Sequence, residues 1–233
     1  AQAAERIPTR IIPAGWTDPK ALGVTAAQEL AKRCIMEMGM PIVKMNPAQN
    51  QFPLNSREAL AVAETIVECG GMLAYHYGAD TEFTPAEALG DVAGRFPDTT
   101  VIGVHMGGGG AAFVDAEQLY QDSRTLGLLH TNIHFVFSAK RDVHIESDLI
   151  TYQEAGPPYS ENLSCGSDAP YGKVVFNFAG YRALLESLRS AAQHRDPRVQ
   201  SKPSLFDDRS IQRYLGGNFA RLIIRGYERL LSS

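Results

Sequence analysis

A parallel (β/α) barrel of the α/β class is the fold this sequence predicts, and three observations carry it. Strand-like and helix-like segments alternate along the chain, the pattern of βαβ units. The strand-like segments are continuous apolar runs rather than alternating ones, as expected where both faces of a sheet are covered. Three of those runs end in groups suited to chemistry: "GGMLAYHYG" at His76, "TTVIGVHMGGGG" at His105 and "NLSCGSDAPYG" at Asp168. Barrel enzymes keep their reactive groups at the C-terminal tips of the strands. A His, a His and an Asp on three different tips is how such a barrel builds a metal-dependent site.

Each element has its own signal. Strands are expected at Thr9–Pro13, Pro41–Asn46, Gly71–His76, Thr99–His105, His134–Ser138 and Leu163–Gly166. The step from His76 to His105, and again from His105 to His134, is about one βα unit of roughly 30 residues. Thr84-Pro85-Ala86-Glu87 reads as an N-cap, a Pro at the first helical position and a capping-box Glu. Asn55 and Glu58 repeat the box before a helix that should end at Gly70. In "TAAQELAKRCIMEMG" the positions Ala27, Leu30, Ala31, Cys34, Ile35 and Met38 form one helical stripe, read as core packing. A helix is expected over Lys173–Arg195 and a loop over Asp196–Ser204. A short helix, a Gly-Gly break and an amphipathic helix then close the chain. No linker divides residues 1–233, so they read as one domain.

Composition bounds the rest. The chain has 233 residues, 44% of them hydrophobic, and a formal charge of -4. No basic patch argues for nucleic acid, and no apolar stretch is long enough to span a membrane. Three scattered cysteines, Cys34, Cys69 and Cys165, read as buried reduced thiols, so a cytoplasmic protein without a signal peptide is expected. Because the chain opens on Ala1 close to a strand, a partial chain is also expected.

Among the remaining polar residues, the four glycines at 107–110 lack the Lys-Ser or Lys-Thr of a phosphate loop and the context of a dinucleotide fold. They read either as a plain loop or as backbone passing close to an anionic ligand. Lys44, also at a strand tip, reads as a salt-bridged or snorkelling lysine, or as a substrate-carboxylate contact or a carbamylated metal bridge. His130, His134, His144 and His194 lack strand-tip context and read as non-catalytic, and Cys165 reads as core.

Taken together, "PIVKMNP", "MLAYHYG", "VIGVHMGGGG", "CGSDAPYG" and "IQRYLGGNFARLI" resemble successive landmarks of the amidohydrolase superfamily. The branch they resemble holds amidohydrolase-related metal-dependent hydrolases and aminocarboxymuconate-semialdehyde-type decarboxylases. The likeness runs from about Ile7 to Leu231. It implies a TIM-type (β/α)8 barrel of which this chain supplies roughly strands three to eight. It places His76 on the fifth strand as a metal ligand and His105 on the sixth as the acid/base histidine. Asp168 falls on the eighth, binding metal or handling the proton of a metal-bound water, and Asn218 falls in a structural closing segment.

One departure stands out. The family carries a His-x-His pair on its first strand, and no such pair occurs in this sequence. His76 and Asp168 alone are too few for tight metal binding, since catalytic zinc uses about three protein ligands plus water. The barrel is therefore expected to be N-terminally incomplete. Either an N-terminal segment or another chain should complete it and cover the open edges, and homo-oligomerisation stays open. The function implied is metal-dependent hydrolysis of a small ester, lactone or amide by a metal-activated water. The ion would be zinc, with manganese as the alternative. The alternatives are non-oxidative decarboxylation of an aromatic or unsaturated acid, and a non-catalytic barrel that lost its first-strand ligands.

Overall fold

A computed structural model of the chain describes residues 11–78, 82–108, 117–169 and 178–232. It contains a six-stranded all-parallel sheet whose strands lie in sequence order: β1 (Gly15–Trp16), β2 (Ile42–Met45), β3 (Met72–His76), β4 (Val101–His105), β5 (Ile133–Phe137) and β6 (Leu163–Cys165). The principal helices are α1 (Val24–Lys32), α2 (Arg57–Glu68), α3 (Ala86–Arg95), α4 (Glu117–Leu129), α5 (Asp142–Ala155), α6 (Phe178–Arg189) and α7 (Asn218–Ser232). Five of the expected strands fall within a residue or two of these spans. The first does not: Ile11 to Pro13 is irregular and the strand is the dipeptide Gly15–Trp16, while Thr9 and Arg10 lie outside the described residues. Residues 173–177 of the expected helix Lys173–Arg195 also lie outside them, and the described helix ends at Arg189.

Register sorts the strand residues into rows. Trp16, Lys44, Ala74, Ile102 and His134 lie side by side, and one step further along so do His76, Val104, Val136 and Ser164. These rows share the inner face. The outer face carries Val43, Leu73, Val101 and Ile133, then Met45, Tyr75, Phe135 and Leu163, packed with α1, α2, α3 and α5 into the main core. The expected stripe, which runs through α1 into the wider helical turn Arg33–Glu37, holds at Ala27, Ala31, Cys34 and Ile35, all buried, and fails at Met38, which is exposed.

Two predicted caps are corrected. The N-cap of α2 is Ser56, whose hydroxyl accepts from the Ala59 N–H, and not Asn55. Thr84 does not cap α3; its hydroxyl instead bonds to the backbone of Gly78. Gly78 sits where a Cβ would come within 2.0 Å of the Gly108 carbonyl oxygen, so the β3 and β4 tips touch backbone to backbone. The C-terminus of α2 is as expected, with Gly70 left-handed at φ 79°.

The inner face is covered in part by the chain's own last helix. Leu222 and Ile223 of α7 form a second apolar cluster with Ile42, Met72, Ala74 and Ile102, joined by Phe219 and Tyr227. Gly226 permits the close approach, because a Cβ there would lie 2.4 Å from the Met72 methyl. At its start, α7 is fastened by Asn218, which is buried and donates to the carbonyls of Ser160 and Leu163 at 2.9 Å each. Among the described residues β1 and β6 do not pair with each other and each has one strand neighbour. They remain the edges expected of a barrel short of two units. No helix of the described residues is long and apolar enough to cross a membrane.

Candidate active site

The polar groups of the inner face gather at the C-terminal tips. His76 ends β3 and faces inward, in the row of Val104 and Val136. His105 ends β4, and strand alternation alone would set it in the outward row with Phe137 and Cys165. Its backbone departs from strand geometry at φ 79°, and its ring centroid lies 4.6 Å from that of His76 in an edge-on contact. Left-handed backbone is uncommon away from glycine and concentrates at functional sites. Met106 at 48°, Ala139 at 53° and Asp168 at 49° share it, and all four residues lie at or just past strand tips.

Asp168 reaches the same place from β6. Its Oδ1 lies 4.0 Å from His105 Nε2, with the Asp side chain 32% exposed and the His side chain 4%. The three tips singled out in the sequence therefore converge. The Pro170 to Gly172 part of the Asp168 motif, and Gly109 and Gly110 of the glycine run, lie outside the described residues. Lys44 stands one row deeper on β2, and its Nζ lies 5.4 Å from the centre of the Trp16 ring, which is 44% exposed. Among the described residues Lys44 forms no ion pair, so the salt-bridged reading of it is not what the structure shows.

Electrostatics follow from this geometry. Burial, reinforced by His76 and by the Lys44 charge, pushes the His105 pKa down to about 3. At neutral pH the ring is an uncharged imidazole with one donor and one acceptor nitrogen. Burial raises the Asp168 pKa, opposed by Lys44, and burial lowers that of Lys44, opposed by Asp168. The other face of His105 is fixed by a residue that sequence reading missed. Ser138, at the tip of β5, lies 2.7 Å from His105 Nδ1 through its Oγ. The strand-tip argument that picks out His76 could have found it.

The remaining histidines lie elsewhere. His134 is buried in the deeper row against Ser164, His144 packs on Tyr120 and Glu117, and His194 accepts from the Asp196 N–H. Burial pushes the Cys165 thiol up to about 12, which suits packing and not nucleophilic attack at neutral pH.

His76 and Asp168 offer the imidazole nitrogen and carboxylate oxygen that a divalent ion takes. They fit it by donor type and fall short by number. Among the described residues no group of three or more His, Cys, Asp or Glu side chains is arranged to hold a metal.

No curated protein matches the sequence. Solved structures do. An uncharacterised TIM-barrel protein from Bordetella bronchiseptica superposes with a TM-score of 0.63 at 16% identity, over 97% of this chain and 70% of that one. A 4-oxalomesaconate hydratase from Rhodopseudomonas palustris gives 0.63 at 19%, over 99% and 69%. The 5-carboxyvanillate decarboxylase of Sphingomonas paucimobilis gives 0.60 at 16%, over 95% and 69%. At these identities the likeness carries the fold alone: a TIM-type barrel of which this chain forms six consecutive strands, consistent with the third to the eighth. The amidohydrolase family model matches residues 1–185, most of the chain and all three converging strand tips. This chain belongs to the amidohydrolase family.

Proposed function

We propose that the site hydrolyses a small ester, lactone or amide, with His105 and Asp168 working on the same reacting oxygen. The observation that carries this reading is the 4.0 Å between His105 Nε2 and Asp168 Oδ1. That distance is too long for a direct hydrogen bond, yet one oxygen atom placed between the two groups can touch both. A carboxylate on one side takes the proton of an attacking water. The imidazole on the other side, uncharged at neutral pH, orients that same water by a hydrogen bond to its oxygen, and the Asp168 carboxyl hands the proton it has taken to the leaving group as the acyl bond breaks. Ser138 serves by holding Nδ1, which leaves Nε2 to the reacting atoms.

His76 and Asp168 would be this chain's ligands to a divalent ion, zinc before manganese, and such an ion supplies a water of lowered pKa. The remaining ligands would come with a segment that pairs with the open edges of β1 and β6, from the same gene or another chain. Lys44 supports a substrate that carries a carboxylate. Its charge sits at the floor of the site without an ion pair among the described residues, beside an exposed aromatic ring that can stack on a planar substrate.

The test assays a panel of aryl esters, lactones and amides, with and without a carboxylate, alongside aromatic and unsaturated acids scored for released carbon dioxide. The complete barrel and its H76A and H105N variants are also analysed for bound metal. Hydrolysis that favours the carboxylated members, metal lost in H76A and metal kept in H105N support the reading. Release of carbon dioxide without hydrolysis would establish the decarboxylase alternative. No turnover and no metal in the complete barrel would establish the non-catalytic one.

A further inference from the structure

Behind the His105 tip lies a group of buried charges that the hydrolytic reading does not use. Lys140, two residues beyond Ser138, has no solvent-exposed side-chain surface, and neither does Asp148 of α5, with which it pairs. The ammonium group of Lys140 has three N–H donors. It meets three acceptors: the Asp148 carboxylate, the face of the Tyr120 ring at 4.8 Å, and the Met106 carbonyl oxygen at 2.9 Å. Asp148 also accepts from Arg124 at 3.1 Å, and Arg124 pairs in turn with Glu117.

The position of the Met106 contact gives this group its meaning. His105, Met106 and Gly107 are consecutive left-handed residues, at φ 79°, 48° and 86°. Two of the three carry a Cβ and do not hold that conformation without outside support. Opposite them Ala139, between Ser138 and Lys140, is left-handed as well. The two bent tips are joined at two points: Ser138 to the His105 ring, and Lys140 to the carbonyl of the next residue. The first contact holds the ring at Nδ1 and the second holds the backbone that turns the ring inward, away from the Phe137 row. Stability alone does not account for the charges, since a buried ion pair replaced by apolar groups of similar size is often neutral in stability.

We infer that Lys140, held in place by Asp148, is a positioning residue that fixes the left-handed turn presenting His105 to the site. This inference rests on the catalytic reading of His105, and its test includes a measurement that does not. Lys140→Met with Asp148→Asn removes both charges together, and the amide oxygen at position 148 still accepts from Arg124. Thermal melting, the 15N–1H ring correlations of His105 (assigned by their loss in H105N) and steady-state kinetics are compared with those of the unaltered chain.

The expected result is a melting temperature near that of the parent, shifted or exchange-broadened His105 ring signals, and a kcat lowered about 10- to 100-fold with KM changed little, the scale of a small misplacement of a reacting group. Unchanged His105 signals and an unchanged kcat in a folded double variant would overturn the inference. If the parent hydrolyses nothing, the hydrolytic reading fails, and the His105 signals alone still decide the positioning claim. Should that variant not fold, Lys140→Gln with Asp148→Asn carries the same comparison with the volume kept and the reach to Met106 shortened.

Discussion

The two ends of the inner sheet face are built from the same strands and are chemically opposite. At the lower end Ile42, Met72, Ala74 and Ile102 bury apolar surface under Leu222 and Ile223 of α7. At the upper end His76, His105 and Asp168 gather charge and hydrogen-bonding capacity at the tips where the strands stop, and Lys44 reaches toward them from the row of Ala74 and Ile102 below. The lower end is stabilised by burial, at roughly 25 cal/mol for each Å² of apolar surface removed from water. The upper end holds a buried uncharged imidazole and left-handed backbone, both of which work against folding. Stability and chemistry thus occupy different layers of one face, which makes the two separable by substitution.

Leu222→Ala strikes the lower layer alone. It should destabilise the chain by about 2–5 kcal/mol, as large-to-small core substitutions do, while the His105 ring signals of the folded fraction stay unchanged. Denaturant unfolding read beside the ring spectrum checks this. A spectrum that shifts with Leu222→Ala would show the layers to be coupled.

Acid should act on both layers with a common sign. Burial holds His105 and His134 at pKa values of about 3 in the folded chain, against an unfolded value of about 6.5. Between those values the unfolded chain binds more protons than the folded one. The stability contributed by the two neutral rings is complete above about pH 6.5 and is lost as pH falls toward 3, by up to about 1.4 kcal/mol per pH unit for each ring. Denaturant midpoints measured from pH 7 to pH 4 test this, and His134→Gln should flatten the dependence. A midpoint that rises on acidification would contradict it.

The smallest expected effect lies outside both layers. Ser56→Ala removes the hydroxyl that caps α2 and should cost about 1 kcal/mol with no change in turnover. A loss of activity there would show that α2 reports to the site.

Much of this arrangement was legible in the sequence because parallel strands write themselves plainly. Runs such as "MLAYH" and "VIGVH" are apolar on both faces and stop at a polar residue, so the position of His76, His105 and Asp168 at three tips followed from local pattern. What was illegible depends on distant contacts. A two-residue strand such as Gly15–Trp16 is too short to show a period and exists because β2 pairs with it. Thr84 has the sequence of a cap, and tertiary structure assigns its hydroxyl to Gly78. The face that α7 covers could not be read from its amphipathic pattern, which marks an apolar side without naming its partner. The inward turn of His105 was hidden as well, since alternation points it outward and the Ser138 and Lys140 contacts that accompany its turn come from the next βα unit.

His105 and Asp168 are expected to act together on one oxygen. The most direct test is a double-mutant cycle on hydrolysis of the best carboxylated substrate, using H105N, D168N and the double variant. Each single substitution should lower kcat by about 10²–10⁴-fold. Because the two groups work as a unit, the double variant should be about as impaired as the worse single one. Losses that multiply in the double variant, or a D168N enzyme that turns over at the parent rate, would contradict it.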